Sequence, residues 1–193
     1  MLKIANLRVE IYDLFQQNKF FFDNEERYAA YYTSMYLLQD TTESLMNHRN
    51  NDFSSEPLTA YIEFWGVMQA LIIQQDSIAE LYKAVTATEM KKRNPASSWL
   101  SLRELRNICA GHPAKKDRPN KTPVSRTFMS RQFGKYSAIT YEQWQDDNIK
   151  SRPIMEKISH PSVNLGELID RYADEAVIEL TEVLESMKNN GLK

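Results

Sequence analysis

Cysteine is nearly absent from this chain, since Cys109 is the only one among 193 residues. A lone cysteine excludes an internal disulfide and any zinc site built from several thiolates. No apolar run approaches the roughly 20 residues that a membrane-spanning helix needs. The first residues, Met1 to Ile4, alternate apolar with charged side chains and form no signal-peptide core. Together these absences predict a cytoplasmic protein with no membrane segment.

Glycine and proline are also scarce, with five and seven residues respectively. Their scarcity favours long regular elements over a loop-rich fold. The net charge of -2 gives the chain no general attraction to polyanions, so any nucleic-acid site must be a local basic patch. The length suffices for one domain with a sizeable core. Because we find no linker and no internal repeat, we expect a single domain over residues 1–193.

Apolar residues recur at helical spacing in five segments. The segments are 2–17, 25–47, a long helix from Pro57 to Val85, a short helix before Gly111, and a C-terminal helix ending near Gly191. Ser97 or Ser98 is the expected N-cap of the short helix, with Ser101 and Glu104 as an alternative capping box, and Asn164 or Ser162 caps the last one. The long third helix has apolar residues on several sides, which predicts a central position in the bundle.

A different pattern appears between residues 124 and 145. Thr127–Met129 and Tyr136–Tyr141 are typical of short strands, and Gly134 lies near the turn between them. The sequence therefore predicts a mainly α protein, an antiparallel helical bundle with a small β-hairpin insertion after the short helix. His48 falls in a polar stretch and is expected to be exposed, while His160 is expected in a turn without a partner.

The segment 105–113, LRNICAGHP, holds the candidate chemistry. On a helix, Arg106 lies about 40° from Leu102 and about 60° from Cys109, so it flanks the core-facing stripe. Gly111 suits a left-handed helix cap, and the sharp turn that glycine permits would bring His112 back toward Arg106. We therefore expect a permanent cation and a titratable imidazole close together at a helix end.

This pair of residue types suits RNA cleavage by the 2′-hydroxyl group. A histidine can remove the hydroxyl proton or protonate the leaving oxygen near neutral pH. An arginine can bind the phosphate oxygens through two hydrogen bonds and stabilise the added negative charge. One imidazole cannot easily serve as both base and acid in a single turnover. Two copies of the motif, facing each other in a homodimer, would supply both groups.

At these residues the chain resembles the HEPN (higher eukaryotes and prokaryotes nucleotide-binding) superfamily. Ribonuclease members carry Arg, a short spacer and His, often with a polar residue directly after the Arg. Here Arg106 and His112 enclose five residues, and Asn107 is the polar one. The resemblance implies a homodimeric, metal-independent endoribonuclease that needs no cofactor. It assigns His112 to acid–base catalysis, Arg106 to phosphate binding and Asn107 to orienting either, while Glu104 would position Arg106.

The resemblance also implies a biological context. Many relatives are toxins of toxin–antitoxin systems or phage-defence components, so a cognate antitoxin is an expected partner. In some family pairs the antitoxin modifies a tyrosine shortly after the histidine. Position 114 is alanine here, and the nearest downstream tyrosine is Tyr136. Control by that route is therefore not expected.

Two alternatives stand beside this hypothesis. A non-catalytic module of the same fold could bind nucleotide, RNA or a protein through the same surface. Arg106 could simply pair with Glu104, with another acidic residue or with carbonyls at the helix end, and His112 with Pro113 could form an ordinary turn.

A basic segment follows the motif and is the expected RNA-binding surface. Basic residues interleaved with aromatic ones suit phosphate contacts and base stacking, although a solvated loop beside a packed hairpin is the alternative. Asp117 is the only acidic residue between positions 115 and 135. The basic residues are Lys115, Lys116, Arg118, Lys121, Arg126, Arg131 and Lys135, and the aromatic ones are Phe128, Phe133 and Tyr136.

Overall fold

The computed structural model describes residues 1–17, 20–111, 113–114, 116–118, 122–129, 134–145 and 153–190. Over these ranges the chain is mainly helical, with a small antiparallel sheet. A π-helical turn, Asn107–Gly111, directly continues the fourth helix. No helix in these ranges is long and apolar enough to cross a membrane. The helices are α1 (Leu2–Gln16), α2 (Glu25–Asn51), α3 (Pro57–Thr86), α4 (Ser98–Arg106) and α5 (Leu165–Asn190).

Side chains at the helix starts explain why the helices begin where they do. Ser97 accepts a hydrogen bond from the backbone N–H of Leu100 at 3.3 Å, so Ser97 caps α4. Asn164 accepts one from the backbone N–H of Glu167 at 3.0 Å and caps α5. Pro57 occupies the first turn of α3, where its missing N–H costs nothing. All three agree with the sequence predictions.

The helices pack as layers around α3. Helix α3 contacts α2, α4 and α5, while α1 covers α2 and α5. A buried chain of hydrogen bonds crosses this core: the Tyr172 hydroxyl donates to Gln74 Oε1 at 2.9 Å, and Gln74 Nε2 donates to Thr42 Oγ1 at 2.8 Å. The largest fully buried side chains include Phe64, Met68, Leu71, Ile78, Leu81, Leu102, Leu165 and Tyr172.

The sheet confirms the predicted hairpin but is larger. Its strands are β1 (Lys116–Arg118), β2 (Thr122–Met129), β3 (Ile139–Gln145), β4 (Ile158–Ser159) and β5 (Ser162–Val163). All pairings are antiparallel, in the order β1-β2-β3-β4, with β5 also on β3. Tyr136, predicted to lie in a strand, instead occupies the turn before β3. Two-residue strands such as β4 and β5 are too short for alternation to reveal.

The sheet is attached to both the π-turn and α3. The backbone N–H of Thr127 in β2 donates to the carbonyl of Pro113 at 2.8 Å. Two residues on, the backbone N–H of Met129 donates to the Tyr61 hydroxyl at 3.1 Å. The hairpin therefore lies against the end of the motif helix.

Two histidines depart from the sequence predictions. His48 was expected in an exposed break, but it lies within α2, half-buried, where its Nδ1 is 2.8 Å from the Tyr136 hydroxyl. Helix α2 continues through this polar stretch to Asn51. His160 has a partner, since its Nε2 lies 3.4 Å from Glu142 Oε2 across the small sheet.

Candidate active site

Arg106 is the last residue of α4 and is half-buried. Its Nη2 donates to Gln69 Oε1 on α3 at 3.1 Å, and its Nη1 donates to Asn107 Oδ1 at 3.2 Å. Hydrogen bonds at two corners of the planar guanidinium fix its orientation. Gln69 is 37 positions upstream, and nothing in the sequence pattern connects it with the motif.

Arg106 differs from several arginines of the helices in the charge of its partners, although Arg8 on α1 also donates to a neutral group, the carbonyl of Met35. Arg49 forms a two-hydrogen-bond pair with Asp170, Arg103 pairs with Asp76, and Arg171 pairs with Glu167. Arg93 is likewise paired with two glutamates of α5. Both hydrogen-bond partners that the structure describes for Arg106 are neutral amides. They hold the guanidinium without cancelling its charge, which suits the binding of an anion.

Gly111 serves Arg106 in a way the sequence did not reveal. We predicted a left-handed helix cap at Gly111, but none of the described glycines has a positive φ. Instead, the backbone widens into the π-turn. A β-carbon at Gly111 would lie 3.0 Å from Nη1 of Arg106 and 3.5 Å from its Cζ. The missing β-carbon therefore lets the guanidinium lie directly against Gly111, and π-turns of this kind occur frequently at functional sites.

His112 lies outside the described residues. Its two neighbours are described: Gly111 packs against Arg106, and the carbonyl of Pro113 accepts the hydrogen bond from Thr127. The residue before the histidine therefore lies against Arg106, and the residue after it is hydrogen-bonded to β2.

Glu104 and Asn107 line a cleft of about 710 Å³. Two positions along a helix turn the side chain by about 200°, so Glu104 emerges on the side of α4 away from Arg106. The positioning hydrogen bonds described for Arg106 come from Gln69 and Asn107. Burial, assisted by the charges of Cys109 and Glu104, raises the pKa of Tyr141 in this cleft to about 12.

Cys109 packs in the core within the π-turn, as its predicted position on the apolar stripe required. Burial raises the pKa of its thiol to about 12. The thiol is therefore protonated at neutral pH and is a packing group.

The basic candidates fall on the sheet or outside the described residues. Lys116 and Arg118 lie in β1 and Arg126 lies in β2, whereas Lys115, Lys121 and Arg131 lie outside the described residues. The Arg126 guanidinium sits 4.8 Å from the ring centroid of Trp144, its cross-strand neighbour on β3. Phe128, two residues along the same strand, is 55% exposed. Since side chains two apart share a strand face, Arg126 and Phe128 lie together.

An exposed apolar strip on α3 leads to Arg106. Leu58, Ile62 and Trp65 are 62%, 64% and 40% exposed, and their spacing places them on one face with Gln69. The predicted central position of this helix is confirmed, since α3 contacts α2, α4 and α5, but this apolar face stays exposed.

Compared with protein-family models, curated proteins and solved structures, the chain matches none. The case for a function therefore rests on the residues themselves.

Proposed function

We propose that this protein is a HEPN-type, metal-independent endoribonuclease whose Arg106 binds the phosphate that is cleaved. The observation that carries the proposal is the setting of Arg106, which is held by the neutral amides of Gln69 and Asn107, while Arg49, Arg103 and Arg171 are held by carboxylates. A fixed guanidinium with its charge uncompensated by these partners is prepared for a phosphate before the phosphate arrives.

The reaction follows from the residue types at the motif. A histidine removes the proton of the ribose 2′-hydroxyl, and the resulting oxygen attacks the adjacent phosphorus. The bond from phosphorus to the 5′-oxygen breaks, and an acid protonates that oxygen. The guanidinium has more N–H donors than the two amides occupy, so it can also bind phosphate oxygens. We assign the proton transfers to His112 and the phosphate to Arg106.

A second copy of the chain supplies the second acid–base group. The exposed strip of Leu58, Ile62 and Trp65 continues along α3 to Gln69, which holds Arg106. Burial of such a strip against another copy is favourable, because it removes apolar surface from water. Contiguous exposed apolar surface also marks interaction sites. A dimer formed through this face brings two motifs toward each other.

The RNA strand would approach over the hairpin. Thr127, whose backbone is bonded to Pro113, lies between Arg126 and Phe128 on β2. The exposed Phe128 ring offers a stacking surface, and Arg126 offers a charge for the RNA backbone.

The decisive experiment is cleavage of a mixed-sequence RNA in excess EDTA. We expect Arg106→Ala and His112→Ala to lower the cleavage rate by about a hundredfold or more. The matched controls are Arg171→Ala, an exposed ion-paired arginine of α5, and His160→Ala, an exposed histidine. Both controls should cleave like the wild type, and products should end in a 2′,3′-cyclic phosphate. Equal cleavage by all five proteins, or by none, contradicts the proposal.

The non-catalytic alternative has one observation in its favour. Arg106 already has two protein hydrogen bonds, which is also what a purely structural arginine needs. RNA that binds the wild type but is never cut, with binding lost in Arg106→Ala, would establish this alternative. A role as toxin or phage-defence component, and a cognate antitoxin, stay predictions of the family resemblance.

A further inference from the structure

Both amides beside Arg106 turn their oxygen atoms toward it. Gln69 Oε1 accepts a hydrogen bond from Nη2 at 3.1 Å, and Asn107 Oδ1 accepts one from Nη1 at 3.2 Å. A guanidinium has only N–H donors and no acceptor, so an amide in hydrogen-bond contact with it presents its oxygen. The NH2 groups of Gln69 and Asn107 are therefore left for other acceptors.

These NH2 groups lie close to the guanidinium. The oxygen and nitrogen of one amide group are about 2.3 Å apart, so Gln69 Nε2 stays near the guanidinium that Gln69 Oε1 contacts. Gln69 is exposed and Asn107 is half-buried, and among the residues that the structure describes neither NH2 group has an acceptor. Since the guanidinium also keeps N–H groups beyond the two that it donates, three side chains offer donors at one place.

Acidic residues nearby leave the positive charge of this place in force. Helix α3 has no acidic residue over positions 64–75, the three turns that surround Gln69. Asp76 follows on the same face, about 10 Å along the axis from Gln69, but it pairs with Arg103. Glu104 emerges on the other side of α4. The group of donors therefore keeps the charge of its guanidinium.

Side-chain donors that include a cation and leave no acceptor free select an oxyanion, and hydrogen bonds to a charged partner are roughly twice as strong as neutral ones. We propose that Gln69 is a second phosphate-binding residue: its Nε2 donates to a non-bridging oxygen of the RNA phosphate that Arg106 binds, and Asn107 Nδ2 donates from beside Nη1. The inference rests on the proposed function in that this phosphate is the one cleaved. Because negative charge on its oxygens grows as the 2′-hydroxyl attacks, the same donors stabilise the transition state.

The inference is tested with the full chain and a mixed-sequence 2′-O-methyl RNA oligonucleotide, which lacks the nucleophile and is therefore not cut. In Gln69→Glu, the carboxylate still accepts the hydrogen bond from Arg106, but it has no N–H donor and it repels phosphate. We expect this variant to bind the oligonucleotide at least about tenfold more weakly, with an unchanged midpoint of urea denaturation. Calorimetric titration measures the affinity.

Gln39→Glu is the matched control. Gln39 lies on α2, where its amide donates to Glu43 Oε1 at 3.0 Å, so the substitution adds the same charge away from Arg106 and should leave binding like that of the wild type. A direct readout comes from NMR spectra of the side-chain amides. When the oligonucleotide binds, the Nε2 protons of Gln69 should move downfield, while those of Gln39 should not. Gln69→Met identifies the signals by removing them.

Two failures can be told apart. No binding of the oligonucleotide, unshifted amide protons at Gln69, or unchanged affinity in Gln69→Glu overturns the role of Gln69, whatever RNA cleavage shows. Conversely, a protein that never cleaves RNA but loses binding in Gln69→Glu keeps the phosphate site and loses the proposed reaction. If both are right, Gln69→Glu also lowers the cleavage rate of unmodified RNA by about a hundredfold, the scale seen when one donor to a developing oxyanion is removed.

Discussion

Gly111 lies against the guanidinium of Arg106, so close that a β-carbon at Gly111 would stand 3.0 Å from Nη1. The contact brings the last residue of the five-residue π-turn against the candidate phosphate-binding side chain, which directly precedes the turn. Because the atom in the way is the tip of a flexible side chain, an added methyl group displaces the guanidinium rather than the backbone.

Gly111→Ala should therefore separate activity from stability. We expect RNA cleavage to fall by about tenfold, since small displacements of positioned groups are costly in catalysis. The free energy of unfolding should stay equal or rise by up to about 1 kcal/mol, because alanine favours helical backbone. Cleavage kinetics and urea denaturation measure the two effects. Gly66→Ala is the control, since its added β-carbon meets nothing within 4 Å. Full activity in Gly111→Ala would contradict the role of this contact.

The exposed strip on α3 predicts a change of oligomeric state. Ile62→Glu puts a charge in the middle of the strip, and a buried charge without a partner is strongly unfavourable. We expect this variant to sediment as a monomer and to lose cleavage, while its Tm stays close to that of an isolated wild-type subunit.

Ile178→Glu provides the comparison, because Ile178 is a similarly exposed isoleucine, at 60%, on α5. That variant should keep the mass and activity of the wild type. A wild-type protein that is monomeric at all concentrations, yet active, would show that the second acid–base group does not come from another copy.

Much of the helical fold could be predicted because its causes are local. Helical spacing of apolar residues and side chains at the helix starts, such as Ser97 and Asn164, act within a few residues of one another. The hairpin was also visible, from two alternating segments around Gly134. The extent of the sheet was not, because β5 has two residues and depends on pairing with β3.

The surroundings of the motif were less predictable, because they depend on residues that are distant in the sequence. Arg106, Asn107 and Gly111 lie within six consecutive residues, and their grouping was expected. The partner Gln69 is 37 residues away and comes into reach only when α3 packs on α4. The exposure of Ile62 likewise depends on which sides of α3 the other helices cover. The spacing of apolar residues shows which face of a helix is apolar. It does not show whether that face packs in the core or against another molecule.

The buried hydrogen-bond chain through Gln74 predicts a stability effect in the core. Tyr172→Phe leaves Gln74 Oε1 without its donor in a fully buried position, which costs about 1–3 kcal/mol of unfolding free energy. Urea denaturation measures the loss. Tyr82→Phe is the control, because the Tyr82 hydroxyl donates to Glu182, where solvent can replace it, and should change stability by no more than about 0.5 kcal/mol.

A second substitution tests the mechanism of that loss. In Tyr172→Phe with Gln74→Met, both ends of the broken hydrogen bond are apolar. The Thr42 hydroxyl loses the donor Gln74 Nε2 but still donates to the Leu38 carbonyl, so part of the lost stability should return. Losses that simply add in the double variant would mean that the hydroxyl acts through packing rather than through Gln74.

The pair between Arg49 and Asp170 links α2 to α5 and predicts a pH dependence. Its two N···O distances are 2.5 and 2.7 Å, and the hydrogen bonds from Arg49 lower the pKa of the Asp170 carboxyl. A carboxyl whose pKa is lowered by folding stabilises the protein above its unfolded pKa, about 3.9 for aspartate, and loses that contribution as the pH falls through its folded pKa. Asp170→Asn should therefore be less stable than the wild type at pH 7, and the difference should shrink as the pH falls below about 4.

Urea denaturation at pH 7 and pH 3 measures this difference. The effect will be modest, because the Asp170 side chain is 57% exposed and solvent screens the pair. Asp174→Asn is the matched control on the same helix: Asp174 lies 3.7 Å from Lys3, and both side chains are 75% exposed. It should change stability little at either pH. A difference between Asp170→Asn and wild type that is the same at both pH values would show that the aspartate acts through its shape, since only its charge is lost on protonation.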